Sequence, residues 1–434
     1  MSTALLARRR FLPLFITQFL GAFNDNVFKN ALVILITFQA ASCSDSPLLV
    51  TVAAGLFIVP FFLFSATAGQ FADKMDKARM IRLTKLAEIG IMTLGAVGFL
   101  AHSVELLMVV LFAMGAQSAI FGPLKYGILP QQLEREALMG ANALLQGSTF
   151  IAILVGTVLG GTLIVVPERG ATLTAISIIV VALAGWAVSR SIPDAPAADP
   201  QLALDWNPFR QTWRVAVMAA EQRDVLVAII GISWFWFVGA TFLQLFPGFT
   251  CDVLGGGPSV VVLLLCTFTI GVAGGSWISA RISAGRVSLA LAPFGAIGIF
   301  VFALIPAVLP PAAPSAALLS IEQVLMDATN WPSLLALLGL STSGGVFVVP
   351  LFAFVQQQSP PERRARVIAA ANVLNALFMV LSALTTIVLL KADIGIIGVF
   401  AITGIGTLLV LAGMLGSSVT MRRAFLVRFS RSAR

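Results

Sequence analysis

The chain has 434 residues, 59% of them hydrophobic and 11% charged, where an ordinary soluble domain is about a quarter charged, so a soluble protein of this composition could not cover its surface. Its 37 Gly and 21 Pro suit membrane helices, which tolerate both residues, while runs such as 260–266 do not alternate polar with apolar and so exclude a transmembrane barrel. Three cysteines (Cys43, Cys251, Cys266) and one histidine (His102) exclude a disulfide framework and argue against a metal centre, and the formal charge of +8 raises nucleic-acid binding as a question for its placement to answer.

A helix crossing the hydrocarbon needs about 20 apolar residues, so twelve crossings use roughly 240 residues and leave short loops. Apolar runs between charged or Pro/Gly-rich breaks predict helices over 11–38, 48–71, 80–101, 105–125, 139–166 and 171–190. The second six are predicted over 224–247, 259–280, 287–309, 332–355, 366–390 and 394–416. The first run follows Arg8, Arg9 and Arg10 and mimics a secretion signal, but it is too long for one.

The first predicted helix carries Gln18, Asn24, Asp25, Asn26 and Lys29 in an otherwise apolar run. A charge inside a membrane is expensive unless paired or hydrated, so such residues are candidates for function. Asp25 and Lys29 stand at i and i+4, and Gln18 lies two turns before Asp25, which makes one face of the helix polar. That face either locks the helix in its bundle as a structural ion pair or meets a substrate.

Between the second and third helices run Gly69, Asp73, Lys74, Lys77 and Arg79. Glycine permits close helix packing, and Asp73 can face a helix N-terminus. The five basic residues from Lys74 to Lys85 can also serve orientation alone. Lys125 follows Gly122 and Pro123 near the end of the fourth helix, beside the lone tyrosine, Tyr126. It either holds an anionic headgroup as a point charge or snorkels to the interface. Gly156, Gly160 and Gly161 line one side of the fifth helix, as a packing seam or a hinge. Cys43 and Cys251 follow the first and seventh helices, where a bond between them is one possibility.

The break 191–223, with Pro193, Pro196, Pro200 and Pro208, falls at the chain's midpoint and reads as a linker between halves 1–190 and 224–434, the second ending in a basic tail. The halves are related. Pro123-Leu124, Gln131 and Ala141-Asn142 recur as Pro350-Leu351, Gln358 and Ala371-Asn372, and Phe19-Leu20-Gly21-Ala22 recurs as Phe237-Val238-Gly239-Ala240. In the second copy Leu243 and Pro247 replace Asp25 and Lys29. A duplicated set of six helices marks a two-halved carrier. The expected fold is therefore all-α and integral to the membrane, twelve helices in two pseudo-symmetric six-helix halves.

Both termini and the even-numbered breaks hold 23 of the 27 Lys and Arg, against two, Arg169 and Lys391, on the other side. Counting acids, the two sides carry +13 and −5, while Asp25, Lys29, Glu88 and Lys125 lie inside and cancel. Topology accounts for the net charge and removes the nucleic-acid reading, and the bias puts both termini in the cytoplasm.

The segment Gly69-x-x-x-Asp73-Lys74-x-x-Lys77-x-Arg79 resembles the signature loop of the major facilitator superfamily, with Asp76 at the position of its second glycine. The resemblance implies that Asp73 latches near the start of the eleventh helix, by Arg366. Within that superfamily the chain resembles the lysophospholipid transporter family along essentially its whole length. The matching pieces are the 18–26 and 123–129 segments, Ala141-Asn142 with the glycine run to Gly161, and Gly344-Gly345 through Pro350-Leu351.

The resemblance implies movement of lysophosphatidylethanolamine and related single-chain lipids across the inner membrane for reacylation by a separate acyltransferase. Asp25 and Lys125 match polar positions of the family. The family's seventh-helix arginine has no counterpart here, and Gln146 stands where an acid can occur. The expected substrate contacts are Asp25, Lys29, Lys125, Gln18, Asn24, Asn26 and Gln146. Associated acyltransferases use His-x-x-x-x-Asp, but Leu107 fills the last position after His102; with no Gly-Lys-Ser/Thr for a P-loop either, the chain is expected to be no enzyme and to need no cofactor. The alternative is a proton-coupled exporter of drugs or metabolites with Asp25 or Glu88 as proton site.

Overall fold

The computed structural model describes residues 5–39, 46–284, 286–311 and 318–432. All twelve predicted membrane helices are present: α1 Leu12–Gln39, α2 Ser46–Lys74, α3 Lys77–Leu100, α4 Val104–Gly127, α5 Arg135–Ile164, α6 Gly170–Ser189, α7 Arg223–Gly248, α8 Pro258–Ser283, α9 Ala292–Val308, α10 Trp331–Gln358, α11 Arg364–Lys391 and α12 Ile396–Ser417. Each is long and apolar enough to cross a membrane. Cys43, one half of the bond considered with Cys251, lies outside the described residues.

Local chemistry sets the ends. Asp76 adopts extended backbone and accepts the amide of Arg79 at 2.7 Å, so α3 starts three residues ahead of the apolar run. Ser103 does the same for α4 through Leu106. Pro60, Pro123, Pro247, Pro306 and Pro350 lie within helices, and a π turn, Phe249–Val253, follows Pro247. Two helices fall where the sequence suggested only a linker and a tail, Pro208–Glu221 and Val419–Ser432. The linker is also tied down. Ala198 and Asp199 donate to the Asp73 carbonyl, both at 2.9 Å, Ala195 donates to Asp76, and Gln70 exchanges two hydrogen bonds with the Asp205 backbone.

The chain divides into two compact units. The first comprises Met1–Ala141, Ile151–Ala219 and Gln358–Val373. In it α3 packs on α4 and α6, α2 on α4, and α1 on α6, around Val27, Phe28, Met92, Phe99 and Ile178. The α5 glycines form a seam against α1: a Cβ on Gly156 would lie 2.5 Å from the Phe23 carbonyl oxygen, and one on Gly160 would overlap the Val27 carbonyl.

The second unit comprises Asn142–Phe150, Ala220–Gln357 and Leu374–Arg434. There α12 packs on α9 and α7, and Gly271, Gly275 and Gly345 bring α8 against α10. Ser233 bonds Asn375 at 2.9 Å, Thr241 bonds Ser382 at 2.8 Å and Gln244 bonds Thr386 at 2.8 Å, joining α7 to α11. The pairs α1 with α5, α1 with α6, α2 with α4 and α3 with α6 thus recur six helices later, the pairing a duplicated chain produces.

Candidate functional site

Consecutive residues of a helix point about 100° apart, and α1 uses this to serve two neighbours. Asn24 is buried and turns its amide to Glu88 Oε1 of α3 at 3.3 Å and to the Ile178 carbonyl of α6 at 3.1 Å. Asp25, half-buried, turns to α4 and accepts from the Ser118 hydroxyl at 2.8 Å. One turn on, the Lys29 ammonium stands 4.3 Å from the centroid of the Phe57 ring of α2, a cation–π distance. Asn26 closes on the Ala22 carbonyl at 2.7 Å within its own helix. Gln18 is buried on α1. Two turns beyond Ser118 on α4, half-buried Lys125 places its ammonium 4.8 Å from the Tyr126 ring. Gln146 is buried in the second unit.

One charge sits differently from the sequence reading. Lys85, counted there with the basic face, is 1% exposed and binds Glu88 at 2.5 Å. Both lie on the buried stripe Ala78, Ile81, Lys85, Glu88 and Met92 of α3. Gln117 donates to Glu88 Oε2 at 3.0 Å, so Asn24, Lys85 and Gln117 together donate to both of its carboxylate oxygens. Room for the lysine comes from two glycines: a Cβ on Gly21 would lie 2.8 Å from Nζ, and one on Gly185 3.2 Å from Cε. Gln117 is adjacent to Ser118, so a polar line runs from Lys85 through Glu88 to Asp25. Sequence reasoning missed Gln117 and Ser118, because neutral polar residues in an apolar run carry no charge penalty to announce them. The i,i+3 spacing of Lys85 and Glu88 was the available signal for the pair.

At the other polar locus, the buried Asp73 carboxylate accepts the backbone amides of Ala365 at 3.0 Å and Arg366 at 3.3 Å, and the Arg366 guanidinium at 2.9 Å. A carboxylate at the first turn of α11 meets unpaired N–H groups and the positive end of the helix dipole. Gly69 makes the approach possible, since a Cβ there would lie 2.8 Å from that of Ala369. Lys74 donates to the Leu202 carbonyl at 2.7 Å, Lys77 is buried, and Arg79 is exposed. Asp76, at the signature's second glycine position, caps α3.

Across α7–α12 every charged side chain lies within three residues of a helix end, whereas Asp25, Lys29, Lys85 and Glu88 lie well inside α1 and α3. The second unit offers hydroxyls, amides and rings instead, among them Phe150 against Phe235, Trp236 and Phe268.

Among the described residues, twelve helices able to cross a membrane, a repeated six-helix pairing and a helix-capping Asp73 define a membrane carrier, and the Major Facilitator Superfamily family model matches residues 14–383. The chain belongs to that superfamily. Among curated proteins it is similar to the lysophospholipid transporter LplT of Serratia proteamaculans, 28% identical over 362 residues, 81% of each chain. It is likewise similar to the LplT of Escherichia fergusonii, 29% identical over 411 residues, 92% of each chain. Among solved structures, the E. coli fucose:proton symporter superposes with a TM-score of 0.69 at 13% identity, covering 94% of this chain and 98% of that one. The human organic anion transporter MFSD10 matches at 0.69 and 15% identity, covering 94% and 99%.

Proposed function

We propose that the protein is a secondary transporter carrying lysophosphatidylethanolamine-like lysophospholipids across the inner membrane by alternating access, with both termini cytoplasmic and a separate acyltransferase consuming the lipid. The observation that carries the reading is the set of opposite charges inside α1 and α3, with Lys125 on α4, in a chain whose relatives bear the lysophospholipid transporter name. A zwitterionic headgroup needs a cation for its phosphate and a carboxylate for its ammonium. Lys125 and Lys29 are assigned the first role and Asp25 the second. Gln18 and Gln146 are assigned as further polar contacts, while Asn24 ties α1 to α3 and α6 and Asn26 bonds within α1. The acyl chain keeps to the apolar, Phe-rich helix faces. Asp73, with Gly69, Lys74, Lys77 and Arg79, governs the change of conformation through the start of α11.

Uptake of labelled lysophosphatidylethanolamine into spheroplasts tests this. A charge-assisted hydrogen bond is worth about 1.5–3 kcal/mol, so Asp25→Asn and Lys125→Ala are each expected to cut uptake about tenfold or more. Unchanged uptake in both variants removes the site assignment. Wild-type protein that moves no lysolipid removes the substrate. Uptake measured with and without a protonophore separates lipid carriage from the proton-coupled exporter, which requires the gradient.

A further inference from the structure

The helix Pro208–Glu221 has a buried side and, opposite it, an exposed apolar one. Gln211, Val215 and Ala219 form its buried stripe. At i, i+4 and i+8 on the far side stand Phe209 (77% exposed), Trp213 (72%) and Val217 (47%), extended by Trp206 (71%) just before the helix. Two indoles, a phenyl ring and a valine facing water would forfeit the stabilisation that apolar surface gains by leaving it.

Where the helix lies decides what covers that side. The Thr212 hydroxyl bonds the Phe62 carbonyl of α2 at 3.4 Å, and Phe62 lies inside the span Val52–Lys74, about 18 Å from its Lys74 end by helix rise. The Trp206 ring packs edge-on against Phe71 of the same helix at 5.7 Å. The segment therefore runs beside a membrane-crossing helix, below its end, and its outer side faces the zone lipid occupies. Arg210 and Arg214 line the adjoining stripe, bound to Asp205 at 2.5 and 3.1 Å yet more than half exposed. Arginines flanking Trp and Phe are the composition of helices that lie in a bilayer interface, with aromatic rings at headgroup level and guanidinium groups turned to water.

We propose that Pro208–Glu221 is a lipid-facing membrane anchor lying against α2, its Phe209–Trp213–Val217 side set into the half of the bilayer that adjoins the Lys74 end of that helix. The anchor pins the segment between α6 and α7 to the lipid and is independent of the substrate the protein carries.

The test uses the full chain, one copy per lipid nanodisc. A cysteine-free background (Cys43→Ala, Cys251→Ala, Cys266→Ala) receives an environment-sensitive fluorophore at Trp213→Cys, Val217→Cys or, as the water-exposed reference, Glu221→Cys. Labels at 213 and 217 are expected to emit to the blue of the label at 221, to be quenched by doxyl-labelled lipids, and to resist aqueous iodide. Labels at 213 and 217 that iodide reaches as readily as 221, with no quenching by doxyl lipid, overturn the proposal. Protection that appears only in discs holding two copies overturns it too and assigns the face to a second chain. Should the cysteine-free protein not fold, native protein and its Trp206→Phe/Trp213→Phe variant are compared in nanodiscs of brominated lipid. The anchor requires the variant to lose part of the lipid-quenched tryptophan emission, and equal quenching in the two proteins refutes it.

Discussion

Glu88 is tolerable inside the first unit only because its neighbours complete its coordination: Lys85 supplies the opposite charge, and Asn24 and Gln117 supply the remaining donors. A buried ion pair gains little over apolar residues of the same volume, but one partner left alone is an uncompensated charge. Glu88→Gln or Lys85→Met should therefore destabilise the protein by roughly 3 kcal/mol, and Lys85→Met/Glu88→Met together should recover most of it. Thermal unfolding in detergent reads the difference. A double variant no more stable than the singles would mean that the pair contributes more than mutual neutralisation. Asp25, Lys29 and Glu88 were legible as charges in apolar runs. Lys85 was not, because it closes a run of cations that begins at Lys74, and only the helical stripe from Ala78 to Met92 separates it from Arg79 and Arg82.

Between elements, the spacing of glycine decides which helices touch. Gly160 sits on the Val27 backbone, whereas Gly413 of α12 has open space where a side chain would go. Gly160→Val must push α5 off α1, which carries Asp25. Stability and lysolipid uptake are both expected to fall, with a cost of about 1–3 kcal/mol for overpacking. Gly413→Ala is the control. Nothing obstructs its methyl group, and in a helix Ala is favoured over Gly by up to about 1 kcal/mol, so its melting temperature should hold or rise. Equal loss in both variants would show that flexibility, not close approach, is what these glycines provide. The membrane helices could be read as elements from their apolar length alone. The helix Pro208–Glu221 could not, since four prolines and mixed charge in the break make it look like linker; Pro208 in fact stands at the first helical position, where a missing N–H costs nothing.

For the molecule as a whole, the placement of charge is the strongest constraint on how it lies in the membrane. Withdrawing Lys85 from the basic face leaves 22 of the 27 Lys and Arg there, still against Arg169 and Lys391 alone on the other. Orientation follows the Lys and Arg near helix ends, so one buried lysine does not change the expected topology. The duplication was legible as well, because Pro123-Leu124 and Pro350-Leu351 sit at equivalent points of α4 and α10. The chemical asymmetry of the two copies shows only when Leu243 and Pro247 are set beside Asp25 and Lys29 and the neutral Ser233, Thr241 and Gln244 bonds beside the Glu88 cluster. Fusions test the orientation. Alkaline phosphatase joined after Arg169 should be active, since that enzyme works only outside the cytoplasm, and a fluorescent protein joined after Arg434 should fluoresce. Inactive phosphatase after Arg169 together with a dark fluorescent protein after Arg434 would place the termini outside, and the Asp73–Arg366 contact with them. The latch would then act on the outer end of the transport path, and reacylation inside the cell would have to begin from the opposite opening.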